Sequence, residues 1–222
     1  MNMSKTLALI HTSATLVPLF EDLVKEYLSH IDLKVFTIVD DSLIKNTIAK
    51  NKLTANTQKR LINYIISAEE AGADYIMVTC SSVGPAVEMA EKLVSVPVLR
   101  VDLPMADQAV NSGSKIGVLA TLPTTLAPTT DLVKRRAIAL DKQIEINAKL
   151  CTGAFEALRR GEPQTHDEIV AKALLELAQS VDVIVLAQAS MARVVNQLDE
   201  QLKTVPILGS PVIAMNYLAN IL

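Results

Sequence analysis

An internal repeat of about half the chain's length restricts the folds that this sequence can adopt. Three segments recur in the same order at nearly one offset: Lys5–Leu16 in Lys115–Leu126 (115 − 5 = 110), Asp74–Val83 in Asp182–Met191 (182 − 74 = 108) and Ser95–Leu99 in Thr204–Leu208 (204 − 95 = 109). Chance similarity explains any one of these matches, but not three matches with concordant offsets. The sequence therefore predicts a duplicated unit of alternating strands and helices.

Short apolar runs, followed by apolar residues at helical spacing, predict an α/β fold with a parallel sheet in each half. We expect a first lobe made of residues 1–110 plus 210–222, and a second lobe made of residues 111–209. A longer helix begins near Thr54, and Gly72 ends it at the position where glycine is favoured. Asp41 or Ser42 is expected to cap the short helix before it.

Two further helices are predicted in the second half. One lies around Asp131–Leu140, and a second opens at Thr165–Glu168, where the sequence Thr-His-Asp-Glu has the pattern of a capping box.

Composition excludes several functional classes. The net charge is −3 and aromatic residues make up 3% of the chain, so neither a basic stripe nor a set of stacking aromatics predicts nucleic-acid binding. No apolar run approaches the length of a membrane span. The segment Met1–Lys5, with the brief apolar run after it, does not have the pattern of a secretory signal. The two cysteines give no disulfide framework, so we expect a cytoplasmic protein.

No metal or cofactor motif is present. The histidines His11, His30 and His166 lie far apart and form no zinc-binding spacing. The seven glycines form neither of the usual glycine-rich nucleotide loops. We therefore expect neither a metal nor a dinucleotide cofactor.

Cys80 stands at the junction of a predicted buried strand and the helix that follows it. Pro85 suits the first helical position, and the apolar residues of Ala86–Val94 have helical spacing. Ligands bind at this edge of open α/β sheets, where helix N-termini also lower thiol pKa values. Alternatively, Cys80 is a packed small hydrophobe, since free cysteine is among the most buried residue types. The residues alone leave both interpretations open.

A resemblance to a known family rests on three motifs and on their order along the chain: Val78–Pro85, Val118–Thr125 and Val185–Met191. With them, the whole chain resembles the aspartate/glutamate/hydantoin racemase superfamily. The resemblance implies two Rossmann-like (flavodoxin-like) subdomains with parallel sheets, related by a pseudo-two-fold axis, with the active site in the cleft between them. It also implies a homo-oligomer, no cofactor, and a small carboxylate substrate.

In that superfamily, one cysteine from each half exchanges the proton on one face of the substrate's α-carbon. Cys80 matches the first cysteine, but Gln188 stands where the second is expected. An amide has no proton to exchange near neutral pH, although it donates hydrogen bonds. Three functions stay open: an isomerase acting at the α-carbon of an amino acid-like or hydroxy acid-like substrate, a single-cysteine decarboxylase (a lyase), and a ligand-binding protein without catalysis.

The resemblance assigns Cys80 as the catalytic thiolate and suggests a set of substrate-binding residues: Ser81, Ser82, Thr121, Thr124, Thr125, Gln188, Ala189, Ser190, His11 and Thr12. The alternative for the hydroxyls is ordinary helix capping or turn formation. Arg100 and Arg193 are further candidates for a carboxylate partner. Cys151 aligns with Asp41 in the repeat (151 − 110 = 41), away from the nucleophile position, so we expect a structural role for it.

Overall fold

The protein, a computed structural model, is described over residues 4–222. Residues 1–3, which belong to the segment considered for a secretory signal, lie outside the described residues. The chain divides into two compact units. The first unit holds Met1–Val101 and Pro211–Leu222, and the second holds Asp102–Ser210.

The first unit alternates strands and helices. Its elements are β1 (Lys5–His11), α1 (Val17–Leu28), β2 (Leu33–Val39), α2 (Asp41–Ala49), α3 (Ala55–Glu70), β3 (Tyr75–Val78), α4 (Gly84–Ala90) and β4 (Val98–Arg100). The four strands form one parallel sheet in the order β2-β1-β3-β4.

The second unit repeats this pattern. Its elements are α5 (Leu103–Ser112), β5 (Lys115–Ala120), α6 (Pro123–Ala139), β6 (Glu145–Leu150), α7 (Ala154–Arg159), α8 (Pro163–Ala178), β7 (Val183–Leu186), α9 (Ala192–Gln197) and β8 (Ile207–Gly209). The strands again form a parallel sheet, in the order β6-β5-β7-β8. The predicted fold class, α/β with two parallel sheets, is confirmed.

Equivalent hydrogen bonds at the strand ends relate the two sheets in detail. Thr79 N donates to Ile10 O in the first unit, and Ala187 N donates to Leu119 O in the second. Ala187 lies 187 − 79 = 108 residues after Thr79, which is the offset of the repeat in this segment. This pairing makes Ile10 equivalent to Leu119, an offset of 119 − 10 = 109, so the first-strand offset of 110 was wrong by one residue.

The corrected register changes which residues correspond at the ends of β1 and β5. Thr12 corresponds to Thr121, and His11 to Ala120. Cys151 N donates to Ala120 O as Asp40 N donates to His11 O, so Cys151 corresponds to Asp40 rather than to Asp41.

The division between the units falls at Val101 and Asp102, whereas the sequence-based boundary fell after residue 110. Helix α5 therefore belongs with the second unit, where it packs against α6 and β7. The last helix, α10 (Ser210–Ile221), returns the chain to the first unit. There the Lys5 ammonium donates to the Leu222 carbonyl, and the Tyr75 hydroxyl donates to the Ile221 carbonyl at 3.4 Å.

Helix α3 shows how local sequence and packing cooperate in the first unit. Its N-cap Thr54 accepts a hydrogen bond from the N–H of Thr57, and Gly72 follows its end with φ +90°. One face of the helix, with the fully buried Leu61 and Ile65, packs in a core under the sheet. The prediction for the two ends of this helix is confirmed.

Three local predictions were wrong at helix starts. The cap of α2 is Asp40, whose carboxylate accepts from Ser42 N, because Asp41 is already in the first turn. Helix α8 begins at Pro163, which places Thr165 inside its first turn and excludes the capping box. Helix α6 begins at Pro123 instead of near residue 131, and it continues through Pro128.

Helix α4 ends at Ala90, although apolar spacing predicted a helix through Val94. The chain turns after Ala90, and Leu93 is 60% exposed. Leu93 therefore does not extend the buried face of the helix, whereas the partly buried Val94 packs against the core of the first unit from outside the helix.

Candidate active site

Cys80 lies at the carboxyl edge of the first sheet. Strand β3 ends at Val78, and Cys80 has extended backbone angles (φ −138°, ψ 117°) before a short 3-10 turn over Ser81–Val83. Gly84 then begins α4. The strand-to-helix junction that the sequence predicted around Cys80 is thus present.

The surroundings of the Cys80 thiol do not activate it in the resting protein. Burial raises the pKa of this thiol, although Cys80 itself is only partly buried. Hydrogen bonds from the Thr12 hydroxyl, from the N–H groups of Ser82 and Val83, and from the Ser82 side chain act in the opposite direction without outweighing burial. The expectation of a lowered thiol pKa was therefore wrong, and the neutral thiol is the resting form near neutral pH.

The hydroxyls beside Cys80 are themselves buried. Thr12 is 1% exposed, Ser81 6% and Ser82 3%. The N–H and the side chain of Ser82 both form hydrogen bonds with the Cys80 sulfur. These groups form the immediate environment of Cys80 at this edge of the sheet.

His11 lies in the same edge, at the end of β1. It is 1% exposed, its Nδ1 lies 2.8 Å from the Thr79 hydroxyl oxygen, and its ring packs on Phe20 with the centroids 5.3 Å apart. Within residues 4–222, its Nε2 has no hydrogen-bond partner. Burial lowers the pKa of His11 from 6.5 to about 4, so the imidazole is neutral at pH 7. The motif Val78–Pro85 contains Thr79, but the sequence did not show that Thr79 is the partner of His11, because the two residues lie 68 positions apart in the chain.

Gln188 occupies the equivalent edge of the second sheet. Its Oε1 accepts from the N–H of Thr121 at 2.6 Å and from the Thr121 hydroxyl at 3.0 Å. Because a backbone N–H can only donate, the carbonyl end of the amide must face Thr121. The NH₂ end, with two N–H donors, is therefore the end left for other partners, and Gln188 is itself only partly buried.

The Thr121–Gln188 pair is the counterpart of the Thr12–Cys80 pair. In each unit, the threonine after the first strand donates its hydroxyl to the second residue after the third strand. The duplication has thus placed a thiol and an amide in the same local setting.

The remaining candidates of the second unit are spread over two elements. Thr124 and Thr125 lie in the first turn of α6, which begins before the helix that the sequence predicted around Asp131. The hydroxyl oxygen of Thr124 is buried without a partner among the described residues, and Thr125 is 3% exposed. Ala189 and Ser190 lie in a 3-10 turn, with Ser190 exposed.

Neither arginine candidate is free to take a carboxylate substrate in the described state. Arg100 is 2% exposed and donates to Glu88. Arg193 donates to the Asp167 carboxylate at 2.8 Å, and it lines a cavity of about 370 Å³ in the second unit. The other lining residues of this cavity are Pro163, Gln164, Asp167, Glu168 and Gln197.

Cys151 belongs to the core of the second unit. It is 2% exposed and packs among apolar side chains of α7 and α8. Burial raises its thiol pKa to about 11. It is therefore a packed residue in the described state.

Residues 4–222 contain neither a metal-ligand cluster nor a membrane-spanning helix. No cluster of three or more His, Cys, Asp or Glu side chains is arranged to hold a metal ion. No helix in the same range is long and apolar enough to cross a membrane.

Comparison with known proteins identifies the family. The family model for Asp/Glu/Hydantoin racemase matches residues 7–218, so the chain belongs to that family. No curated protein sequence matches the chain significantly. Racemases are isomerases, and the family resemblance read from the sequence is confirmed.

Solved structures share the fold at low sequence identity. A Yersinia pestis protein assigned to the Asp/Glu racemases has a TM-score of 0.77 and 19% identity, with 98% of each chain covered. A glutamate racemase isoform from Bacillus anthracis has a TM-score of 0.73 and 15% identity, covering 98% of this chain and 81% of the other. An aspartate racemase from Picrophilus torridus has a TM-score of 0.72 and 16% identity, covering 97% and 94%. At this identity the likeness concerns the fold alone.

Proposed function

We propose that this chain is a cofactor-independent isomerase in which Cys80 transfers a proton at the α-carbon of a small carboxylic acid, amino acid-like or hydroxy acid-like. The supporting observation is the set of hydrogen-bond donors around the sulfur. Thr12, Ser82 and Val83 all stabilise the thiolate form once it is made. Within the described part of the chain, no comparable hydrogen-bond donors act on the thiol of the packed Cys151.

The proposed reaction begins when a substrate-induced change lets the Cys80 thiol release its proton to water, which leaves the thiolate. The thiolate then removes the α-proton, and the electron pair of the C–H bond delocalises into the substrate carboxylate as an enediolate. Hydrogen-bond donors aimed at such developing charge are usually the largest contribution to catalysis. The thiol finally returns a proton to the α-carbon.

We extend the proposal to Gln188, whose NH₂ end is the donor that the second unit offers to a substrate oxygen. The fixed orientation of its amide supports this role, because Thr121 occupies the carbonyl end. An amide does not carry a proton to the opposite face of the α-carbon near neutral pH. Full racemisation therefore requires a second proton carrier besides Gln188. The other substrate-binding candidates, Thr124, Thr125, Ala189 and Ser190, stay predictions, as do the homo-oligomer and the cytoplasmic location.

A second candidate function is decarboxylation, and the raised pKa of Cys80 favours it. In this reaction the bond between the α-carbon and a carboxylate breaks and CO₂ leaves. The electron pair stays on the substrate as an enediolate. The neutral thiol then gives its proton to the α-carbon, and the resulting thiolate regains a proton from water. A thiol that is protonated at rest is ready for this single step.

Reaction in D₂O separates the candidates. Amino acids, hydroxy acids and substituted malonates are incubated with the protein and followed by proton NMR. An isomerase, or any enzyme that only forms the enediolate, washes deuterium into the α-position, whereas a decarboxylase releases CO₂ and adds one deuterium to one face. A ligand-binding protein does neither but is stabilised against heat by its ligand. The Cys80→Ser variant should lose turnover by at least about 100-fold, the low end for general acid-base catalysis; full turnover in this variant would contradict the proposal.

Gln188→Glu tests the second part of the proposal. The glutamate keeps an oxygen facing Thr121 but replaces the NH₂ end with a second carboxylate oxygen. Hydrogen bonds to charged groups contribute about 1.5–3 kcal/mol, so kcat/KM should fall at least about tenfold. Gln188→Asn, which keeps the NH₂ group on a shorter side chain, is the matched control. Equal kcat/KM in the wild type and Gln188→Glu would show that no anionic oxygen binds there.

A further inference from the structure

A buried arginine explains why residue 84 is a glycine. Gly84 has ordinary helical angles (φ −49°, ψ −43°), so its backbone does not require glycine. A Cβ built on Gly84 would lie 2.2 Å from Cζ of Arg100 and 2.4 Å from its Nη2. The guanidinium therefore rests on the Cα of Gly84, in the space that any other side chain would fill.

Arg100 also holds the next turn of the same helix. Its Nη1 donates to the carboxylate of Glu88, which lies one turn beyond Gly84 in α4. The Arg100 side chain is 2% exposed, whereas that of Glu88 is 30% exposed. One planar group thus contacts both the first residue of α4 and the turn after it.

Arg100 is well placed to control the residues around Cys80. It is the last residue of β4, in register with Val78 of β3, two residues before the cysteine. Gly84 directly follows the turn Ser81–Val83, which supplies the N–H donors to the Cys80 sulfur. A shift of α4 at its first residue would move those donors.

The duplicated unit shows the opposite combination at the equivalent positions. Leu186 pairs with Gly209 as Val78 pairs with Arg100, so Gly209 is the counterpart of Arg100. Ala192, which follows the turn Ala189–Met191 and begins α9, is the counterpart of Gly84. The second unit has a Cβ where the first has none, and no side chain where the first has a guanidinium. The two positions therefore behave as a pair.

We propose that Arg100, held by Glu88 and seated on Gly84, is a positioning residue that fixes the Ser81–Val83 turn and thereby sets the reactivity of the Cys80 thiol. This role differs from the direct contact with a substrate carboxylate that the sequence suggested for Arg100. Only the expected effect of Arg100 on turnover depends on the proposed function. Its effect on the thiol exists without substrate.

The first test measures how fast iodoacetamide alkylates Cys80 over a range of pH, with the modified peptide identified by mass spectrometry. Arg100→Gln should raise the midpoint of the pH profile, because the turn no longer holds its donors on the sulfur. A rise of about half a pH unit makes alkylation below the midpoint about threefold slower. Arg100→Lys keeps the positive charge but loses the planar guanidinium, so it should not restore the wild-type midpoint of the alkylation profile. This readout needs no substrate, so it is informative even if the proposed reaction is wrong.

Arg136→Gln is the matched control, since Arg136 is a partly buried arginine that pairs with Asp107 in the second unit. It should leave the Cys80 midpoint unchanged. The proposal is overturned if Arg100→Gln lowers only the thermal stability and leaves the midpoint in place. It is also overturned if Arg100→Gln raises KM alone, which would indicate direct substrate contact.

A second test examines the pairing of the two positions. Gly84→Ala should lower the thermal midpoint of unfolding because its Cβ meets the guanidinium. In the double variant Gly84→Ala/Arg100→Gly, which reproduces the combination of the second unit, the additional loss caused by the alanine should disappear. An equal loss from Gly84→Ala in both backgrounds would refute the packing on which the inference depends.

Discussion

The neutral, buried His11 should make the stability of this protein depend on pH. The pKa of His11 falls from 6.5 to about 4 in the folded protein because burial disfavours the imidazolium. Its Nε2 has no partner within the described chain, so nothing there compensates a proton added to that atom. The unfolded protein therefore binds a proton at a pH where the folded protein does not.

The sign and size of the effect follow from these two pKa values. The contribution is complete above pH 6.5, and it is lost as the pH falls from 6.5 towards 4. The difference between 6.5 and about 4, at about 1.4 kcal/mol for each pH unit, amounts to about 3.5 kcal/mol in total. At pH 5 the loss should already be about 2 kcal/mol by the same linkage.

Urea unfolding at pH 7, 6 and 5, followed by circular dichroism, measures this loss in the wild type and in His11→Gln. The variant removes the titrating group, so its stability relative to the wild type should improve by about 2 kcal/mol between pH 7 and pH 5. His30→Asn, at an exposed histidine, is the control and should follow the wild type. A constant difference between the wild type and His11→Gln over this range would refute a neutral, uncompensated His11.

Three further predictions concern packing in the two units. Leu61→Ala, at a residue with 0% exposure in the first core, should lower the free energy of unfolding by about 2–5 kcal/mol in urea titrations, and a change near zero would contradict the packing of α3. Gly117→Ala places a Cβ 2.8 Å from Cδ2 of Leu177, so calorimetry should show that the free energy of unfolding falls by about 1–3 kcal/mol. An unchanged melting temperature would mean that α8 moves away from the new Cβ without loss of stability. Because Cys151 is 2% exposed whereas Cys80 is only partly buried, a thiol reagent should modify Cys80 in the native protein and Cys151 only after unfolding, and rapid native labelling of Cys151 would contradict its burial.

The sequence by itself determined the order of strands and helices and their duplication. Short apolar runs specify buried parallel strands through their own composition, and the end of α3 at Gly72 follows from a local backbone preference. The position of Cys80 at a strand end could be predicted for the same reason. It depends only on residues next to it in the chain.

Only the tertiary structure decided what surrounds these residues. The seat of Arg100 on Gly84, the pairing of His11 with Thr79 and the orientation of Gln188 by Thr121 all join residues from different elements. The rise in the Cys80 thiol pKa has the same origin, because burial by the fold outweighs the donors of the adjacent turn that the sequence did suggest. Local sequence specifies backbone conformation through short-range sterics, whereas desolvation and partner choice depend on which distant segments the fold brings together.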